Sequence, residues 1–279
     1  PYYLKREVDP AGGTNYTISG TSEFLSVPYA MYATIADTVL NAPDTSSTNE
    51  IQNLSVSTSG DTLYLSGGNY VIIPGISYAN YPPIDIDGNT YDTVNIGTQV
   101  WMVQNLKTTR YNDNTPIPNV TDNTIWVGIS TGARCYYNND STTQAPIYGA
   151  LYNWFAVETG KLCPIGWHVP NDDEWESLIT YLGGRNTTSG NMLKEPGTTH
   201  WQTDNTGATN ETGFTGLPGG GRDGDGSADF RDITEEGFWW TSSPYDVDNA
   251  DIFFLTVGAE IDLNDEPKKV GSSVRCIKD

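Results

Sequence analysis

The alternation of apolar and polar positions predicts a strand-rich beginning of the chain. Residues 2–8, 51–57, 63–65 and 70–74 alternate as half-buried strands do, and Gly60 and Asp61 place a hairpin turn between two of them. Residues 26–36 predict a short helix with Pro28 near its first position. Its small residues Ala30 and Ala33 fit either close approach of another chain or an ordinary connector between domains.

The remainder of the chain mixes two helical patterns with short strands. Residues 148–158 carry apolar side chains at helical spacing, and residues 171–182 combine an apolar stripe with a capping pair, Asn171 and Glu174. Gly183 and Gly184 end the second helix. Strands are predicted near 94–102 and at 238–240, 252–255 and 273–277, whereas residues 185–231 are Gly-rich and predicted as loops. The fold class is therefore α+β, with small mixed sheets, two helices and long loops.

These patterns divide the chain into three segments. Residues 1–42 form a strand and helix connector, residues 43–83 a β-rich stalk ending in a proline linker, and residues 84–279 the main domain. All eight Trp lie in this last segment. The three short strands of 43–83 make too small a core to stand alone, so they pack on a neighbour or assemble with copies of themselves.

The charge balance restricts the partners. The 279 residues include 35 Asp and Glu against 14 Lys and Arg, a net charge of −21. Such a surface repels phosphates, which argues against nucleic acid and anionic membranes, and it favours solubility and divalent cations. No stretch reaches the roughly 20 apolar residues that direct membrane insertion needs. A loop-rich acidic surface with many Tyr and Trp is typical of an extracellular protein.

A series of ordered motifs lies at 85–91 (DIDGNTY), 96–102 (IGTQVWM), 104–106 (QNL), 148–154 (YGALYNW), 163–170 (CPIGWHVP), 238–243 (FWWTSS) and 273–276 (SVRC). Together these motifs resemble the Fibrobacter succinogenes major paralogous domain. The resemblance covers about 84–279 and implies a secreted or surface-exposed bacterial protein. It also implies a head similar to C-type-lectin-like and formylglycine-generating-enzyme-like domains.

Shorter motifs at the beginning of the chain lie at 8–16 (VDPAGGTNY), 26–30 (SVPYA) and 48–54 (TNEIQNL). They resemble the stalks of trimeric fibre-type bacterial surface proteins. This second resemblance implies a homotrimer formed through the N-terminal part, which would present the C-terminal head.

The lectin-like resemblance also implies a disulfide. In such folds the termini come together and a bond often ties the helix to the last strand, which selects Cys163 and Cys276 and leaves Cys135 spare. The alternative is three reduced thiols in the core.

One loop has the composition of a calcium site. Asp223, Asp225, Ser227 and Asp229 place oxygen atoms at alternate positions, as the first half of a calcium loop does. The pattern departs from an EF-hand, because Ala228 stands where that loop needs Gly, and Asp-Gly repeats are also ordinary turn chemistry. Calcium is the one cofactor that the sequence predicts.

The same region is the predicted ligand face, with Asp251 and its neighbours behind it. Exposed aromatic rings beside carboxylates bind sugars or peptides, whereas most Trp residues, including Trp239 or Trp240, are expected in the core. The Glu-Pro-Asn or Gln-Pro-Asp triplet of sugar-binding C-type lectins is absent. The predicted ligand-binding residues are Trp201, Asp223, Asp225, Asp229, Phe230 and Tyr245.

No catalytic motif is visible. The two His are His168, in the turn before the second helix, and His200, and no nucleophile-elbow, zinc-protease or phosphate-loop pattern accompanies them. The sequence therefore favours a non-enzymatic recognition or adhesion module that binds a glycan or a protein. The alternatives are a structural filament or surface-layer subunit and, less favoured, an enzyme of the formylglycine-generating-like fold.

Overall fold

The computed structural model describes residues 3–8, 18–23, 54–56, 62–65, 69–72 and 82–279. The chain divides into two compact units, residues 1–76 and 77–279, and each is described by itself. The helix predicted over 26–36 lies outside the described residues.

The first unit contains the predicted strands. Strand β1 (Tyr3–Val8) pairs antiparallel with β2 (Ile18–Glu23). Strands β3 (Leu54–Val56), β4 (Thr62–Leu65) and β5 (Asn69–Ile72) form an antiparallel meander. The hairpin predicted around Gly60 and Asp61 is confirmed, because β3 and β4 pair antiparallel on either side of these two residues.

The second unit is built on three sheets. The four-stranded sheet has the order β10-β16-β7-β6 and contains β6 (Thr93–Ile96), β7 (Gln99–Met102), β10 (Trp167–His168) and β16 (Ile277–Lys278). Strands β8 (Arg134–Cys135) and β9 (Leu151–Tyr152) form a pair. The five-stranded sheet has the order β12-β11-β13-β14-β15 and contains β11 (Gly219–Arg222), β12 (Phe230–Ile233), β13 (Glu236–Pro244), β14 (Asn249–Thr256) and β15 (Ile261–Pro267).

Five α-helices accompany these sheets within residues 82–279, where the sequence predicts two. They are α1 (Asn123–Gly128), α2 (Ala145–Tyr148), α3 (Trp154–Val157), α4 (Asp172–Tyr181) and α5 (Thr187–Leu193). A 3-10 turn spans Tyr137–Asn139. The α+β class is confirmed, with more and shorter helices than expected.

Helix α4 is the element that the sequence specifies best. The Asn171 side chain accepts a hydrogen bond from the Glu174 amide at 3.0 Å, and the Glu174 carboxylate accepts one from the Asn171 amide at 2.8 Å. This reciprocal pair satisfies two amides that the first turn leaves without partners. Gly183 and Gly184 then take φ values of 97° and 94°, and the helix ends as predicted.

The single helix predicted over 148–158 is wrong. The segment instead contains the last residue of α2, strand β9 and helix α3. Gly149 breaks the helical path with φ 78°, and a Cβ at this position would lie 2.6 Å from the carbonyl oxygen of Leu106. Leu151 and Trp154 are nevertheless buried, so the apolar spacing serves two different short elements.

Polar residues of the sequence motifs meet inside the core. Asn105, which is 4% exposed, accepts hydrogen bonds at 2.8 Å from both Trp239 Nε1 and Arg275 Nη2. Its amide nitrogen donates to the Tyr148 carbonyl at 2.9 Å and to Ser273 Oγ at 3.2 Å. Asn105 therefore ties four separate segments of the second unit together.

The two ends of the second unit lie side by side, because the final strand β16 pairs with β7 and β10. The disulfide Cys163–Cys276, with a Cα–Cα distance of 6.1 Å, fastens this arrangement and confirms the predicted pairing. Cys135 is a buried free thiol, and burial raises its pKa to about 12.

Candidate recognition surface

Loops gather at one end of the five-stranded sheet. Strand β13 is antiparallel to β14, β14 is antiparallel to β15, and β11 runs parallel to β13. The C-terminal ends of β11, β13 and β15 therefore lie at the same end of the sheet. Residues 223–229, 245–248 and 268–270, which follow these three strands, are called the loop end. Two contacts join its parts: the Gly224 backbone packs on Lys269 and Val270, and Lys268 Nζ donates to the carbonyls of Asp246 and Val247 at 2.8 and 2.9 Å.

The tip of the β13–β14 hairpin is held in one conformation. Asp246 Oδ1 accepts hydrogen bonds from the amides of Asp248 and Asn249 at 2.8 and 2.7 Å, and these bonds lower the pKa of the Asp246 carboxyl. The Lys268 ammonium, which bonds to the same loop, lies 4.8 Å from the centre of the Trp154 ring. The tip is therefore preorganised by its own side chains and by the segment after β15.

This tip presents apolar side chains to solvent. Tyr245 is 62% exposed and Val247 is 84% exposed, the highest value among the large apolar side chains of residues 82–279. The carboxylates of Asp246 and Asp248, which are exposed too, flank them. Tyr245, one of the predicted ligand residues, therefore has a largely exposed aromatic ring on a loop that hydrogen bonds hold in place.

The predicted calcium residues form the β11–β12 hairpin loop, which the Asp223 amide closes by donating to the Asp229 carbonyl at 2.9 Å. The Asp223 carboxylate lies 2.8 Å from Arg231 Nε, and Ser227 Oγ donates to the Asp229 carboxylate. Within residues 82–279 no three His, Cys, Asp or Glu side chains are grouped to hold a metal ion. In this conformation Asp223 contacts Arg231 and Asp229 accepts from Ser227, while Asp225, Ser227 and Asp229 are exposed to solvent, so calcium binding by this loop stays a prediction.

Phe230 follows this loop as the first residue of β12. Its half-buried ring lies 5.3 Å from the Tyr137 ring and 5.1 Å from the guanidinium of Arg222. Arg222 is completely buried, bonds the Val120 carbonyl at 2.7 Å, and reaches the Ala228 carbonyl of the loop at 3.3 Å. A buried arginine at the base of the loop was missed by the sequence reasoning, since an Arg beside Asp-Gly repeats is typical of a solvated turn.

Trp201 belongs to the other end of the sheet. It is 1% exposed, and its Nε1 donates to the Gly216 carbonyl at 3.0 Å. The amide of the next residue, Gln202, donates to the carbonyl of Thr234, which lies in the turn between β12 and β13. The ammonium of the buried Lys194 lies 4.3 Å from the indole centre, and burial lowers the pKa of Lys194 to about 8. The Trp201 ring therefore packs in the core. The loop end contains four of the other predicted ligand residues, Asp223, Asp225, Asp229 and Tyr245, and Phe230 directly follows its first segment.

Three carboxylates lie behind the hairpin tip. Asp251 on β14 stands opposite Asp265 on β15, and its carboxyl contacts Asp172 at the beginning of α4. Burial, followed by the hydrogen bond that the protonated Asp251 carboxyl donates to Asp172 and by the negative charges of Asp172 and Asp265, raises the pKa of Asp251 to about 7.

Both histidines contact carboxylates. His168 lies 2.6 Å from Asp279 and 2.8 Å from Glu174. Burial lowers the pKa of His168, but hydrogen bonds to these two carboxylates outweigh it and leave the pKa raised. His200 lies 2.9 Å from Glu195 and contacts the Tyr148 ring edge-on.

These features define a class: an α+β domain with small, mainly antiparallel sheets, closed by a disulfide, with loops gathered at one end of its largest sheet. Residues 94–278 match the model of the Fibrobacter succinogenes major domain (Fib_succ_major), and the chain belongs to this family. The sequence resemblance to this family is thereby confirmed. No curated protein and no solved structure matches the chain.

The motifs that carry the family resemblance are mostly core residues. Trp101, Asn105, Trp239 and Arg275 are all at most 4% exposed. They specify the scaffold, and the loop end is built from residues outside these motifs. Among the described residues, no helix has both the length and the apolar character needed to cross a membrane.

Proposed function

We propose that the second unit is a non-enzymatic extracellular recognition module that binds a partner protein through the loop end. The observation that carries the proposal is the hairpin tip, where Tyr245 and Val247 are exposed on a loop that Asp246 and Lys268 hold in place. Apolar side chains that stay in water gain nothing for folding, whereas at an interface they supply most of the binding free energy.

The rigidity of the tip favours binding. A preorganised loop loses little conformational entropy when a partner covers it, and a Tyr ring brings a large contact area with few rotatable bonds. The carboxylates of Asp246 and Asp248 beside the apolar pair favour a cleft with a basic rim. The net charge of −21 would speed the approach of such a partner.

Two further observations support this reading. The Cys163–Cys276 disulfide is typical of proteins that work in oxidising surroundings outside the cytosol. Both histidines are held between carboxylates or against an aromatic ring, which agrees with a structural role for each.

The first unit supplies the proposed stalk. The residues of this unit that the structure describes form two small sheets of two and three strands, which is few for an independent core. We therefore propose that three copies of the chain assemble through this part. Light scattering on the full chain is expected to give the mass of a trimer, and a stable monomer at micromolar concentration would contradict the assembly.

A structural filament or surface-layer subunit is the second candidate, because an exposed Tyr245 and Val247 also suit contact with another copy. A binding screen of the full chain against extracellular proteins, repeated with a Tyr245→Ser/Val247→Ser variant, separates the two. Capture of a partner that the variant loses supports recognition. Self-association beyond the trimer that the variant loses supports the filament.

A further inference from the structure

A cavity outside the loop end is formed by the β6–β7 turn and helix α4. It is open to solvent, has a volume of about 340 Å³, and thus falls within the range of small-molecule sites. Its lining residues are Ile96, Gly97, Thr98, Gln99, Ser177 and Tyr181. All six are uncharged, in a chain whose net charge is −21.

The Tyr181 ring, which forms the aromatic wall of this cavity, packs against the β6–β7 turn. The Tyr181 ring lies directly over Gly97, where a Cβ would come within 3.0 Å of the ring, and Gly97 has φ 63°. Tyr181 is nevertheless 63% exposed. One part of the ring therefore rests on the turn while the rest remains open for a ligand to stack on.

The polar rim is also held in place. Gln99 Nε2 donates to the Glu174 carbonyl at 2.9 Å, which fixes the amide against α4. Ser177 Oγ donates to the Asp173 carbonyl at 2.7 Å, so the Ser177 oxygen still has lone pairs to accept hydrogen bonds. Thr98 lies exposed at the turn and adds a second hydroxyl.

From this geometry we infer that the cavity is a binding site for one ring of a neutral sugar. A pyranose has an apolar C–H face that suits the Tyr181 ring and a circle of hydroxyls that suits the Thr98, Gln99 and Ser177 groups. The uncharged lining favours a neutral ring, and the acidic surface around it disfavours an anionic one. This inference and the proposed function both assume that the second unit recognises ligands. The sugar site does not depend on the hairpin tip, so either proposal can fail without the other.

The test is titration of the full chain with a panel of neutral methyl glycosides, with glucuronic acid as the charged comparison, followed by NMR. Tyr181→Ala removes the stacking ring and Tyr181→Phe keeps it. Tyr245→Ala is a matched control, because the two tyrosines are 63% and 62% exposed. Melting temperatures of all variants verify that each is folded.

The inference expects at least one neutral glycoside to bind. Tyr181→Ala should weaken that binding about tenfold or more, while Tyr181→Phe and Tyr245→Ala should leave it nearly unchanged. Absence of binding across the panel, equal binding by Tyr181→Ala, or preference for glucuronic acid would overturn the inference. A glycoside whose binding requires Tyr245 would overturn it as well and would move sugar recognition to the loop end.

Discussion

Asn105 is expected to be one of the most sensitive positions of the domain, although it is a small polar residue. The Asn105→Ala substitution removes the acceptor shared by Trp239 Nε1 and Arg275 Nη2 and the donor used by the Tyr148 carbonyl and Ser273. The site is buried at 4% exposure, so we expect little replacement of these bonds by water.

The cost follows from the groups left without partners. Each buried donor or acceptor that loses its partner costs about 1–3 kcal/mol, with charged groups at the upper end. Arg275 is completely buried, and burial already lowers its pKa to about 9, so a lost hydrogen bond is costly there. Two or three orphaned groups give a loss of roughly 3–5 kcal/mol, against about 5–15 kcal/mol for a whole domain.

Urea unfolding of the oxidised protein, followed by tryptophan fluorescence and circular dichroism, measures this loss. Asn105→Asp is the matched variant, since it keeps an acceptor for Trp239 and Arg275, and it should lose less than Asn105→Ala. Asn119→Ala, at an exposed position, should stay within about 0.5 kcal/mol of the parent. An Asn105→Ala variant within about 1 kcal/mol of the parent would refute the role given to this network.

Three further predictions concern the disulfide, a carboxyl group and calcium. Replacing Cys163 and Cys276 together by Ser should lower the free energy of unfolding by about 4–5 kcal/mol, because the disulfide closes a loop with a sequence separation of 113. A change near zero in urea titrations would contradict a stabilising role for the disulfide. The pKa of Asp251 is about 7 in the folded state against about 3.9 in the unfolded chain, so the free energy of unfolding falls as pH rises between these two values. Asp251→Asn should therefore raise the melting temperature more at high pH than at low pH. An equal effect at both pH values would count against the raised pKa of Asp251. If the β11–β12 loop binds calcium, calcium should raise the melting temperature relative to a chelator, and Asp225→Ala/Asp229→Ala should abolish the increase. Equal melting temperatures with calcium and with the chelator would contradict the calcium site.

Local signals predicted the parts of the fold that local physics decides. Helix α4 has an N-terminal capping pair, an apolar face and two glycines after its last turn, all within one short segment. The structure confirms the helix that these three features predict. Strands β13 and β14 follow from continuous apolar, mostly aromatic residues at 238–240 and 252–255. The last strand is confined to Ile277–Lys278, whereas 272–276 carries the buried contacts of Ser273 and Arg275.

The missed elements depend on contacts between distant residues. Helix α5 contains Thr187 and Gly190, which disfavour helices, yet Gly190 is required there because a Cβ would come within 2.1 Å of the Ala259 carbonyl oxygen. Nothing in the sequence of residues 187–193 indicates that Ala259 packs against this helix.

The candidate site was predicted in part for a similar reason. The carboxylates of the β11–β12 loop and Tyr245 lie at one end of the sheet, because strand direction places both loops there. Trp201 resembled them in sequence, surrounded by polar and glycine residues. Its burial depends on Gly216 and Lys194, whose positions follow from the tertiary fold.

The most direct test of the account measures the dissociation constant between the full chain and a protein partner taken from the binding screen. The account predicts that Tyr245→Ser/Val247→Ser weakens binding at least about a hundredfold, since two exposed apolar anchors together contribute about 3 kcal/mol or more. Tyr181→Ala, which removes an equally exposed ring elsewhere, should leave the same constant unchanged. A tip variant that binds as tightly as the parent would contradict the claim that the loop end is the recognition surface.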